Sequence, residues 1–273
     1  MTTGYEKQLN RPVARLRRGR QGGFSLLEML FVVAILTIVM AIVFKQINLV
    51  QKRSRTEEMK LDMTQESREF MDQLVRDMHS IGYPTASMYS SSASTNANVA
   101  AGLVKVAYDE LWFEGDVDGD GTVDVIDYKL QADANGNCPC KLSRSQYPKA
   151  GGTALLSQTT NAYSVSLSDV INSGGAGGGA SGTAAYAISG SAYGSSGTAN
   201  DTTYADYKTA NVFTYYKADG TEVTPTDISG DPTLSNDVKT IRININVLGR
   251  QADMQTGRRP VMSYSAAVRM PNQ

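Results

Sequence analysis

The sequence predicts an α+β protein: a long N-terminal helix, transmembrane in its first half and amphipathic in its second, packed on a mainly antiparallel β-sheet with long loops. Two observations carry this expectation. No glycine or proline, the strongest breakers of local structure, interrupts Phe24–Ile81. Beyond residue 103, short runs rich in Val, Ile, Tyr and Phe alternate with turn-forming Gly, Asp and Asn, which is the signature of strands.

The helix comes first. Phe24–Phe44 reads FSLLEMLFVVAILTIVMAIVF, 21 residues with one charge, Glu28. As a helix it spans about 31 Å at ~1.5 Å per residue, against a bilayer core of roughly 30 Å. It exceeds an ordinary secretory apolar region, and no small-residue cleavage site comes after it. Met59, Met63, Phe70, Leu74, Met78 and Ile81 then recur at helical spacing, with Glu57, Lys60, Asp62, Glu66, Arg68, Asp72 and Arg76 on the other faces. Gly82-Tyr83-Pro84 supplies a C-cap and a stop. The sequence thus divides into a basic head (1–23), an apolar helix (24–44), its amphipathic continuation (45–82) and a β-rich domain (83–273).

Within the last domain, residues 85–102 read as a loop. Asp109–Glu114 and Thr122–Leu130 read as strands joined by the acidic loop Gly115–Gly121. Residues 171–200 are Gly/Ser/Ala-rich and read as a flexible insertion. Strand signals return at Asn211–Lys217, Asp237–Leu248 and Val261–Met270.

Charge is distributed unevenly. Residues 1–23 hold six basic side chains against Glu6, and the remainder holds 20 basic against 26 acidic. This asymmetry suits a topology signal. The basic residues Lys45, Lys52, Arg53 and Arg55 after the span leave the positive-inside rule only a weak preference for a cytoplasmic N-terminus. No basic patch with interleaved aromatics appears in the body, so nucleic-acid binding is not expected. One histidine, His79, and two cysteines, Cys138 and Cys140, form no zinc spacing. With no nucleophile–base pattern visible, no enzyme is expected. The Cys138-Pro139-Cys140 pair reads as two loop thiols with a local role, or as a disulfide where the compartment is oxidising.

Glu28 is the informative charge, because an ionisable group inside a span is costly and has a partner. Gly22-Gly23-Phe24-Ser25-Leu26-Leu27-Glu28 after a basic leader resembles the type III signal of type IV prepilins. The resemblance implies cleavage by a prepilin peptidase between Gly23 and Phe24, methylation of the new N-terminus, and Glu28 as fifth mature residue. It also implies that Glu28 pairs with the α-amino group of Phe24 on a subunit in the filament. The later pieces resemble the larger PilW-type minor pilins and the J-type pseudopilins of type II secretion. They are the helix end IGYP, LWFEGDVDGDGTVDVIDYKL, Leu142–Arg144, FTYYKADG and the strand ending VRMPNQ.

The expected protein is therefore a minor type IV pilin that helps initiate, assemble or decorate a pilus. It would be a single-pass precursor in the bacterial inner membrane with a periplasmic C-terminal domain, passing into the pilus. Its partners would be other pilin or pseudopilin subunits, the peptidase and the inner-membrane assembly platform. The alternatives are a J-type pseudopilin and, from a different class, a membrane-anchored calcium-dependent binding module or periplasmic enzyme.

The acidic loop also carries a reading of its own residues. Asp116, Asp118, Asp120, Asp124 and Asp127 occupy positions 1, 3, 5, 9 and 12 of an EF-hand-like register, with Thr122 offering its carbonyl at position 7. Calcium favours six to eight such oxygens. A solvated Asp-Gly hairpin is the competing reading.

Overall fold

The computed structural model describes residues 23–89, 92–93, 96–132, 137–150, 163–172, 187–188, 204, 207, 210–225, 234–253 and 257–270. The basic head, except Gly23, and nearly all of the 171–200 insertion lie outside these residues. In chain order the elements are α1 (Leu26–His79), α2 (Ala86–Tyr89), β1 (Leu103–Val106), β2 (Glu110–Gly115), β3 (Asp124–Gln131), β4 (Asn137–Cys138), β5 (Cys140–Pro148), β6 (Ser164–Val170), β7 (Ala187–Ile188), β8 (Phe213–Lys217), β9 (Glu222–Val223), α3 (Leu234–Asp237), β10 (Val238–Leu248) and β11 (Val261–Arg269). Two compact units result, one ending at Gln51 and the other comprising Lys52–Gln273.

The first unit contributes the apolar part of α1. Its large side chains face outward, from Phe24 at 78% exposure through Ile38 at 62% to Val50 at 62%. This stretch is long and apolar enough to cross a membrane.

In the second unit, the rest of α1 covers one face of a nine-stranded sheet. The order is β1-β2-β3-β5-β6-β10-β8-β9, with β11 on the other edge of β10. All of its pairings are antiparallel. The apolar stripe forms the helix side of the core: Met63, Phe70, Leu74, Met78 and Ile81 are buried, and Met59 packs at its margin. Successive turns meet successive strands. Ile81 bridges to Gly115 of β2, Asp77 reaches β3 and β5, Glu66 reaches Ser168 of β6, and Thr64 reaches Met262 of β11. Gly115 is required where the helix end crosses β2, since a Cβ there would lie 2.3 Å from the Ser80 carbonyl oxygen.

Helix α1 ends at His79, and Gly82 comes after it in the left-handed region (φ 74°), the expected cap. The predicted strands all form. Not evident from the sequence are β1, the pair β4 and β7, β6, β9 and above all the nine-residue β5 in the centre of the sheet. Strand β5 carries Arg144, Gln146, Ser143 and Ser145 in place of an apolar alternation. Their polar groups find partners only in the folded chain.

Candidate functional site

At the N-terminus, Gly23 precedes the helix with nothing within 4 Å of where a Cβ would stand. The first helical bond runs from the Met29 N–H to the Ser25 carbonyl (3.2 Å). Glu28 lies in the first turn, where a carboxylate complements the positive end of the helix dipole. Phe24 is four residues, about one turn, before it. The flanking Leu26, Leu27, Met29 and Leu30 are all exposed. An acidic first turn is thus set in an outward-facing apolar helix, directly after an open Gly–Phe bond.

Residues 18–44 match the prokaryotic N-terminal methylation motif. The chain carries a prepilin-type signal. That motif supports a type IV pilin-like protein, either pilin or pseudopilin, whose dealings are with a prepilin peptidase and other pilins. No curated protein and no solved structure matches the chain. The matched residues include Gly23, Phe24 and Glu28.

The acidic loop comes directly after β2. Carboxylate oxygens of Asp116, Asp118 and Asp120 lie within 4.8 Å of one another. Each also accepts loop donors: Asp116 from the Gly119 N–H (2.8 Å) and Gly121 N–H (3.1 Å), Asp118 from the Asp120 N–H (3.2 Å). Asp120 accepts from the Thr122 N–H (2.8 Å) and hydroxyl (2.5 Å). The Thr122 hydroxyl and N–H hold the Asp120 carboxyl below the usual carboxylate range. Gly119 and Gly121 sit at φ 76° and 85°, which lets the loop wrap around its own carboxylates.

The remaining two aspartates do not join the trio. Asp124 begins β3, buried, and accepts from Gln146 Nε2 (2.8 Å). Burial pushes it up to about 6, with Asp118, Asp120 and Asp116 adding to the shift. Asp127 stands three residues further along the strand, so its side chain leaves by the opposite face. There it accepts from the Tyr163 hydroxyl, and burial pushes it too up to about 6. A twelve-residue loop that exits into a helix would return position 12 to the ion. A loop that exits into a strand carries Asp127 away, and of the five carboxylates those of Asp116, Asp118 and Asp120 stay together.

Cys138 and Cys140 are joined by a disulfide, with both side chains 1% exposed in the core. They are neither free thiols nor loop residues. His79 is exposed, with Nδ1 2.7 Å from the Val75 carbonyl.

Two buried polar constellations are not evident in the sequence. Asp77 Oδ2 accepts from the Tyr128 hydroxyl and from Arg144 Nε, each at 2.7 Å, tying α1 to β3 and β5. Burial, then the Asp77 charge, raises the Tyr128 hydroxyl far above its ordinary range. Lys149 Nζ and Glu114 Oε2 meet at 2.5 Å with side chains 1% and 0% exposed. Lys149 also donates to the Val99 carbonyl, and Glu114 accepts the Ala101 N–H. The available signal for the first was Asp77 itself, an acid three residues after Leu74 on the apolar stripe.

Proposed function

We propose that the chain is a minor type IV pilin, a structural subunit that helps initiate, assemble or decorate a pilus after cleavage between Gly23 and Phe24. The observation that carries this reading is the methylation motif at residues 18–44, set on an apolar helix whose large side chains all face outward. Such a helix must be covered by lipid before assembly and by neighbouring subunits after it. The Lys52–Gln273 unit would lie in the periplasm and then on the filament surface. Its partners would be other pilins, the prepilin peptidase and the inner-membrane assembly platform.

Mass spectrometry of the mature protein extracted from membranes tests the reading. A chain beginning at Phe24 with a methylated N-terminus is expected. A mature chain that starts elsewhere or keeps its leader overturns the pilin assignment. Deletion of the gene then separates the two machines: lost pili support the minor pilin, and lost protein secretion with intact pili supports the J-type pseudopilin.

The acidic loop adds a second proposal, a single calcium ion held by Asp116, Asp118 and Asp120. What supports it is the convergence of three carboxylates on one point, where a divalent cation would relieve their repulsion. The ion would stiffen the β2–β3 connection rather than take part in a reaction.

A further inference from the structure

Sheets protect their edges by keeping edge strands short, bulged or charged. Strand β1 obeys this rule, with four residues and a register shift between Leu103 and Lys105, and β9 has only two residues. Strand β11 does not. It pairs with β10 over nine consecutive residues without irregularity, and its only charge is the terminal Arg269.

The direction of its backbone groups is set by two flanking bonds. The Gly249 N–H donates to the Pro260 carbonyl (2.7 Å) and the Met270 N–H to the Lys239 carbonyl (2.9 Å). With the register Thr240↔Arg269 through Leu248↔Val261, the even-numbered residues of β11 turn their N–H and C=O groups toward β10. Val261, Ser263, Ser265, Ala267 and Arg269 turn theirs outward, and among the described residues no strand lies beyond them. Ser263, Ser265, Ala267 and Arg269 are exposed. Met262, Tyr264 and Ala266 form a half-buried apolar row on the core side.

We infer that β11 is a strand-addition edge and that its occupant is β11 of a second copy of this chain. The argument is self-complementarity. Set two copies antiparallel about Ser265. On the outer face Ser265 then meets itself, Ser263 meets Ala267 and Val261 meets Arg269, so no like charges oppose. On the core side Met262 meets Val268 and Tyr264 meets Ala266, apolar against apolar. All five outward residues fall in hydrogen-bonded pairs, giving about ten main-chain bonds. Small side chains on the outer face let the strands approach, and the two-fold closes the assembly at two copies. This inference does not rest on the pilin reading.

Register-specific crosslinking of the detergent-solubilised full chain tests it. Ser265→Cys should oxidise to a covalent dimer, because a residue on the two-fold faces its own copy. Ser263→Cys alone should stay monomeric, and Ser263→Cys combined with Ala267→Cys should crosslink. The native cysteines are already paired and buried, so they do not compete. Light scattering should give two chains per particle. Ser265→Pro removes one outward N–H without touching the β10 ladder and should weaken the dimer by about tenfold. Equal crosslinking by Ser263→Cys and Ser265→Cys would mean random collision and would overturn the register. A monomer throughout, with no Ser265→Cys dimer, would overturn self-pairing, including where β11 takes a strand from a different protein.

Discussion

Replacing Asp77 by alanine should cost the Lys52–Gln273 unit about 3 kcal/mol of unfolding free energy. The Arg144 side chain is 13% exposed and that of Asp77 8%, with 2.7 Å between Nε and Oδ2. Alanine leaves the guanidinium largely buried without its carboxylate, a loss of about 3–5 kcal/mol for a fully buried pair. It also takes from the Tyr128 hydroxyl its acceptor, which is worth about 1–3 kcal/mol when the group is left unmatched. Arginine keeps some water and can shift toward it, so the loss falls below the combined range of about 4–8 kcal/mol, to about 3 kcal/mol. The core residues run from Met59 to Met270, so this unit is the part to unfold. With a urea slope of about 3 kcal/mol/M, the midpoint should fall by about 1 M. Asp77→Leu combined with Arg144→Met removes both charges and should recover much of the loss. A midpoint shift below about 0.3 M would refute this reasoning. So would a double variant as unstable as the sum of its two single replacements.

Three further outcomes are expected. Glu28→Gln should leave a stable, cleaved, membrane-inserted protein that enters filaments poorly, because a carboxylate in a span needs an opposite charge; wild-type incorporation by quantitative immunoblotting of sheared pili would exclude that role. Calcium at ~100 times its Kd should stabilise the folded unit by about 2.7 kcal/mol, with Kd in the range of about 0.1–1 mM expected of extracellular modules. Asp118→Ala with Asp120→Ala should abolish the shift in melting temperature, and equal stabilisation by magnesium would indicate charge screening instead. Asp127→Asn should flatten the pH dependence of stability between about pH 4 and 6. Burial raises Asp127 to about 6, so the folded state holds its proton more tightly than the unfolded chain does. Its stabilising contribution is therefore complete at low pH and is lost as pH rises through about 6. Urea midpoints of the wild type and the variant that run parallel across that range would contradict this.

How much of this was legible before folding differs from element to element. The prepilin-type signal and the membrane-length helix are local: composition and order along the chain suffice, and no distant residue alters them. The stripe from Met59 to Ile81 was legible because helical periodicity places those residues on one side whatever covers it. Strands β2, β3, β8, β10 and β11 were legible from runs of β-branched and aromatic residues bounded by turn formers, with period-two alternation in β10.

Strand β5 was not, because its polar positions are matched by residues far off in sequence, as Arg144 is by Asp77 across 67 positions. The acidic loop shows the same division. Six oxygen-bearing residues at calcium-like spacing are a property of the sequence, but which of them converge depends on the element into which the loop exits. A strand exit sends alternate side chains to opposite faces of a sheet, which left Asp116, Asp118 and Asp120 together and buried Asp127 on the other side. Spacing along a chain fixes a residue's neighbours only within one helix or one strand. Between elements, packing decides which polar groups meet, because a buried charge is tolerated only where another element brings its partner.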